Sequence, residues 1–314
     1  MTWDPLTLPR SDGRTFAVTG ATAGIGYFAA EQLASTGAHV VLVSRTPAKL
    51  DRARATLLEH VRGAQVDTVV LDLTSLASVA AAGAELAALP RLDGMLLNGG
   101  TMTMARGMST SDGLPLMIGT HHVANAALAA AVLPALARSA VDSGDPARLV
   151  HTSTGFVRRF RFEIDDLLDA PRVAIAAYIH AKTATEIFAF ELDRRLRARS
   201  TPVQSLVVRP GVGVDAKTPE RIGVRDSTTP SQRNPVTPLA QGKDTAAWSA
   251  VRAMLDPSLR SGDYVGPAGA FRGLPVVVER SAHTATPPGD RAARLWDQTE
   301  RLGGVTLSHT EGPL

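Results

Sequence analysis

The sequence predicts an α/β protein in three layers, a doubly wound and mostly parallel sheet between two sets of helices. Two observations carry the prediction. Short β-branched runs alternate with longer segments of helical apolar spacing from residue 15 to residue 208. No Ser/Gly/Pro-rich linker divides the 314 residues, so residues 1–314 are expected to form one domain around one large core.

Each element has its own signal. Residues 15–19, 40–44, 68–71, 95–98, 149–152 and 204–208 are apolar runs of strand length. Residues 24–35, 47–61, 75–88, 116–138 and 178–199 carry helical spacing or a start signal such as Thr46-Pro47. Strand followed by helix, repeated, makes a parallel sheet with helices on both faces. Two long irregular stretches, 155–176 and 211–243, break the rhythm. Loops of that length in a compact domain are usually functional, and both leave carboxyl ends of strands, where open α/β sheets bind ligands. Residues 211–243 are the expected substrate lid, with a plain surface insertion as the alternative.

Thr19-Gly20-Ala21-Thr22-Ala23-Gly24-Ile25-Gly26 sits at the first strand-to-helix junction. Gly20 permits a tight turn, Gly24 lets a pyrophosphate approach the backbone, and Gly26 lets the helix lie close on the strand. The first-turn amides then face the phosphates, which is the context of a dinucleotide-binding Rossmann fold. Downstream, Tyr178-Ile179-His180-Ala181-Lys182 places a phenol and an ammonium four residues apart on one helix face. At about 4 Å and an effective dielectric near 20 the charge is worth roughly 4 kcal/mol, enough to draw a phenol from a pKa near 10 toward about 7. Such a pair can transfer protons at neutral pH. The plain alternative is an aromatic packed beside a snorkelling lysine.

The net charge is +3 and there is no cysteine, so disulfides, thiolate catalysis and Cys-ligated metals are excluded, no metal site is expected, and a reducing cytoplasm fits. The small excess of positive charge points to no nucleic-acid partner. Residues 1–14 hold Asp4, Pro5 and Pro9 in place of an apolar signal core, and the Ala-rich run 126–137 is short and broken by Pro134. A cytoplasmic protein without a membrane span is expected.

Together these motifs resemble the short-chain dehydrogenase/reductase family, over about residues 15–305. Residues 19–26 resemble its Gly-rich turn, Asp72-Leu73 its adenine-contacting segment, Leu97-Asn98-Gly99-Gly100 its Asn-Asn-Ala-Gly segment, and Tyr178 with Lys182 its active-site pair. Thr110-Ser111-Asp112-Gly113, Asp165-Asp166-Leu167, Arg209-Pro210-Gly211, Tyr264-Val265-Gly266-Pro267 and Leu295-Trp296 resemble its retinol-dehydrogenase-like branch. The resemblance implies hydride transfer between a nicotinamide and a carbonyl or alcohol carbon. Tyr178 would donate the proton, Lys182 would tune it and hold the ribose, and Thr154 with Ser153 would hold the substrate oxygen. The cofactor would be held by Gly20, Thr22, Ala23, Gly24, Ile25, Gly26, Ser44, Arg45, Asp72, Leu73, Asn98, Gly99, Gly100, Tyr178, Lys182, Pro210 and Gly211.

Three departures fall at reacting positions. His121 stands where the family has an Asn, Thr154 replaces the second Ser of a pair, and Asp215 replaces a hydroxyl residue near the carboxamide. A neutral His121 can hold a relay water, but a pKa near 6.5 would add a pH dependence; a packed helix histidine is the other reading. Asp215 puts negative charge where the nicotinamide docks. A binding protein with little catalysis, or a carbon-carbon double-bond reductase, are therefore alternatives.

For the cofactor, Ser44-Arg45-Thr46 ends the second strand where an NAD-preferring protein carries an acid. The Arg45 fork suits a 2′-phosphate, so NADP is expected over NAD. Met102, Met104, Met108, Leu114 and Leu116 suggest an apolar wall and a bulky lipophilic substrate, or ordinary packing. The resemblance implies a homodimer or homotetramer through the Tyr178 helix. Ile187, Phe188 and Phe190 leave that helix apolar on more than one face, as a core helix would also be.

Overall fold

A computed structural model describes residues 3–101, 107–225 and 236–307. Met102, Met104 and residues 226–235 of the expected lid lie outside the described residues. The chain runs β1 (Thr15–Thr19), α1 (Gly24–Ser35), β2 (His39–Ser44), α2 (Pro47–His60), β3 (Gln65–Val70), α3 (Leu76–Ala87) and β4 (Gly94–Leu97). It continues through α4 (Leu116–Ser143), β5 (Ala147–Thr152), α5 (Phe156–Arg159), α6 (Ala174–Ala198) and β6 (Val203–Val208). Then come α7 (Lys243–Ala246), α8 (Trp248–Leu255), β7 (Tyr264–Pro267), β8 (Pro275–Val277), α9 (Ala282–Ala285) and α10 (Arg291–Gly303).

All these strands form one sheet in the order β3-β2-β1-β4-β5-β6-β7-β8, parallel except for the antiparallel β7–β8 pair. The order reverses between β1 and β4, and that crevice is where a doubly wound sheet takes a ligand. Every residue of β1 is buried because helices cover both faces. One core joins α3, α4, α6 and α10 to the sheet, and the other joins α1, α2 and α8 to the opposite face.

The six expected strands and five expected helices are present, with ends shifted by a few residues. The third strand starts at Gln65, because alternating exposure hides its apolar pattern at an open edge. The helix bearing Tyr178 starts at Ala174. β7 and β8 are additional, and short Pro-bounded strands give little periodicity to read.

In α4, Leu116–Ser143 is long and apolar enough to cross a membrane by length and composition, and 94% of its 18-residue window is buried inside the fold. Its opening is irregular, with a π-helical turn over Gly119–Val123 that carries His121 and His122. The apolar faces of α6 are covered by the chain itself. Phe188 stacks on Trp296 of α10 at 5.2 Å, and Phe190 packs on Tyr264 of β7. Those residues therefore do not mark a subunit interface.

Candidate active site

The glycine bend is dictated by backbone sign and space. Gly20 and Gly24 have φ of 68° and 57°, the left-handed region that other residues avoid. At Gly26 a Cβ would lie 2.4 Å from the Gly20 carbonyl oxygen and 2.8 Å from Asn98 Nδ2. Thr19 Oγ1 accepts from the amides of Asn98 and Gly99 at 2.9 and 2.7 Å, and Asn98 Nδ2 donates to the Thr19 carbonyl at 3.3 Å. Asn98 therefore ties β4 to the bend, which gives it a positioning task. α1 is preceded by Ala23 at its N-cap, with no side-chain cap and no acid in the first turn, so its leading amides suit an anion.

This bend fits a dinucleotide, and the adjoining space fits its adenosine half. A cavity of about 270 Å³ is lined by Gly20, Thr22, Ser44, Arg45, Asp72, Leu73, Gly99 and Gly100, among others. Thr22 Oγ1 and Ser44 Oγ are 3.1 Å apart. Asp72 Oδ1 accepts from the amide and hydroxyl of Thr74, so this side chain also organises the turn into α3. Lys49, missed from the sequence, lines the same cavity four residues after Arg45. We expect Gly26→Ala to weaken NADPH binding at least tenfold, because the new methyl meets backbone that has nowhere to move. Unchanged affinity in a fluorescence titration would show that the bend is not the phosphate cradle.

At the other end of the crevice, the Thr154 side chain lies close enough to the Tyr178 phenol to act on its titration, and His121 lies edge-on to that ring at 5.1 Å. Lys182 is buried on the same helix, and its Nζ donates to the Thr152 carbonyl at 2.6 Å. Burial draws its pKa down to about 8, against the opposing charge of Glu186. The Tyr178 phenol is raised above its usual value by burial, partly offset by the Thr154 side chain. The expected descent toward 7 is therefore corrected: the ammonium is turned to a backbone carbonyl, and desolvation of the phenol dominates.

Other positions also depart from expectation. Ser153 does not face the phenol; it is buried and donates to Glu186 Oε1 at 2.5 Å. Glu186 also accepts from Tyr264 OH at 2.8 Å and Thr284 Oγ1 at 2.9 Å, so a buried carboxylate binds β7 and α9 to the helix that carries Tyr178. Its only sequence signal is the spacing, one further turn beyond Tyr178 and Lys182. His121 Nε2 donates to the Thr101 carbonyl at 2.7 Å, and its buried Nδ1 has no partner among the described residues. Burial, helped by Lys182, pushes its pKa down to about 3, so the anticipated pH dependence near neutrality is absent. The ring is accommodated by Gly100, where a Cβ would lie 2.1 Å from His121 Cε1.

Asp215 is ion-paired to Lys243 Nζ at 2.6 Å and Arg225 Nε at 3.2 Å, so its charge is compensated where it stands. The described part of 211–243 reaches two ways. Gly211 and Val212 line the cavity beyond Thr154, whereas Arg221 pairs with Glu31 of α1 and Thr56 of α2 donates to the Ile222 carbonyl. Pro210 accepts from Gln241 Nε2 and lines neither cavity.

The cavity beyond Thr154 measures about 790 Å³ and is walled by Phe156, Phe160, Phe271, Val212, Arg158 and Arg209, among others. Phe156, Phe160 and Phe271 are exposed at its edge. Leu114 and Leu116 are instead buried, and Met108 is exposed away from this cavity, so the described part of the expected wall is corrected. Core packing had claimed those leucines.

The family model described as short chain dehydrogenase matches residues 14–155. Human dehydrogenase/reductase SDR family member 13 is 31% identical over 308 residues, covering 93% of this chain and 74% of that protein. Against its counterpart from Bos taurus, 36% identical over 204 residues and 63% of this chain, the chain spans about half of the relative's length, 51%. Polyprenol dehydrogenase of Mus musculus is 29% identical over 315 residues, covering 98% of this chain and 89% of that protein. A crystal structure of a protein from Mycobacterium Paratuberculosis superposes with a TM-score of 0.77 at 28% identity, covering 100% of both chains.

Proposed function

Because the chain belongs to the short-chain dehydrogenase/reductase family, in its retinol-dehydrogenase-like branch, we propose that this NAD(P)-dependent oxidoreductase uses NADP and acts on a lipophilic carbonyl compound. The observation that carries the reading is the Tyr178 phenol beside Thr154, whose own side chain lines an aromatic-walled cavity. A bound nicotinamide supplies the hydride; the protein supplies position and a proton.

In this reading Thr154 holds the substrate oxygen beside Tyr178, and Tyr178 passes its proton to that oxygen as negative charge develops there. Burial raises the phenol's pKa above its usual value, so it carries the proton it would donate. His121, kept neutral, braces the ring and leaves Nδ1 as an acceptor. Lys182 remains the cation of the site.

Arg45, Lys49 and Ser44 around the adenosine-side cavity support a 2′-phosphate and hence NADP. Wild-type protein is expected to bind NADPH more tightly than NADH, and Arg45→Ala to lose about tenfold toward NADPH with NADH unchanged. Tighter NADH binding by the wild type would remove NADP from the proposal. The exposed Phe156, Phe160 and Phe271, together with the likeness to a polyprenol dehydrogenase, support a lipophilic substrate. In a homologous series of ketones, kcat/KM should rise about threefold per added methylene while the cavity fills, and a flat series would refute it.

A further inference from the structure

Lys243 opens α7, 28 residues beyond Asp215, yet its side chain lies across the glycine bend. A Cβ placed on Gly24 would be 3.6 Å from Lys243 Cδ and 4.0 Å from its Nζ. Two anchors hold it there. Gln32 of α1 donates to the Asp244 carbonyl at 2.8 Å, and the Lys243 amide donates to Thr218 Oγ1 at 2.9 Å. Gly213 makes room for the stem, since a Cβ there would be 3.2 Å from Lys243 Cγ.

The ammonium thus hangs over the uncapped start of α1, at the one glycine that lets a diphosphate meet the backbone. Its present partner, the Asp215 carboxylate, is itself an oxygen anion of the kind a phosphate would replace. Should Lys243 turn to a phosphate, Asp215 keeps Arg225 at 3.2 Å and is not stranded.

We propose that Lys243 is a ligand of the dinucleotide's pyrophosphate, and that Asp215 is the internal carboxylate competing for it. The assignment rests on the dinucleotide reading of the site above and adds a cation that the glycine bend itself lacks. It also explains how a carboxylate is tolerated beside a phosphate site: the acid arrives with its own counter-charge.

Binding titrations test this without turnover. The probes are NADPH and NADH, which both carry a pyrophosphate, and adenosine 2′-monophosphate, which does not. Lys243→Gln is expected to weaken NADPH and NADH alike by about tenfold, the worth of one charge-assisted hydrogen bond, with adenosine 2′-monophosphate unchanged. Lys243→Arg should retain most of the affinity. Asp215→Asn should tighten both dinucleotides severalfold by freeing the ammonium. Unchanged dinucleotide affinity in Lys243→Gln, or equal weakening of all three probes, would overturn the assignment, and weaker binding by Asp215→Asn would overturn the competition. A wild-type chain that binds neither dinucleotide would instead remove the cofactor reading itself, and this assignment with it.

Discussion

Tyr178→Phe is expected to lower kcat about 10²–10⁴-fold while leaving the NADPH dissociation constant within about twofold of wild type. The substitution keeps the ring and its edge-on contact with His121 and deletes only the hydroxyl beside Thr154. No other described side chain of the pair's surroundings can replace the lost proton: His121 is neutral with its Nε2 hydrogen held by Thr101, Ser153 is committed to Glu186, and Lys182 donates to Thr152. A loss of rate without loss of affinity is the mark of an interaction made in the transition state. Stopped-flow hydride transfer and a separate fluorescence titration separate the two quantities. A variant that keeps its rate would take Tyr178 out of the chemistry.

Acid should unfold the protein unusually early, with a midpoint between about pH 4 and 5.5. His121, His122 and His151 are buried, and burial above all depresses each from 6.5 to about 3. The folded pKa lies below the unfolded one, so the unfolded chain takes up more protons between those limits. Their contribution is complete above about pH 6.5 and is lost progressively as the pH falls toward about 3. At pH 5 each histidine costs roughly 2 kcal/mol, and the three together rival the 5–15 kcal/mol that holds a typical domain. Circular dichroism against pH measures this. His151→Leu, which removes one buried titrating ring packed on Phe188, should move the midpoint downward; a midpoint below pH 3.5 in both proteins would show that the imidazoles are protonated in the folded state.

What could be read from the chain alone is what short-range covalent geometry controls. Residues 19–26 form a bend because Gly20 and Gly24 adopt left-handed backbone and Gly26 has no room for a side chain, all within eight residues. Tyr178 and Lys182 share a face because four residues are slightly more than one helical turn. Strand-helix alternation determines a parallel sheet, and with it the crevice where the strand order reverses between the paired β1 and β4. Only the tertiary structure decided which way Ser153 points, since Glu186 lies 33 residues away, or that His121 is pH-silent, since Lys182 and the core surround it. The same is true of Lys243, whose place over Gly24 follows from α7 docking on α1. The physical reason is one of range. Dihedral preference and periodicity act between neighbours and leave their mark on the sequence, whereas desolvation and charge pairing depend on groups that meet only after the chain has folded.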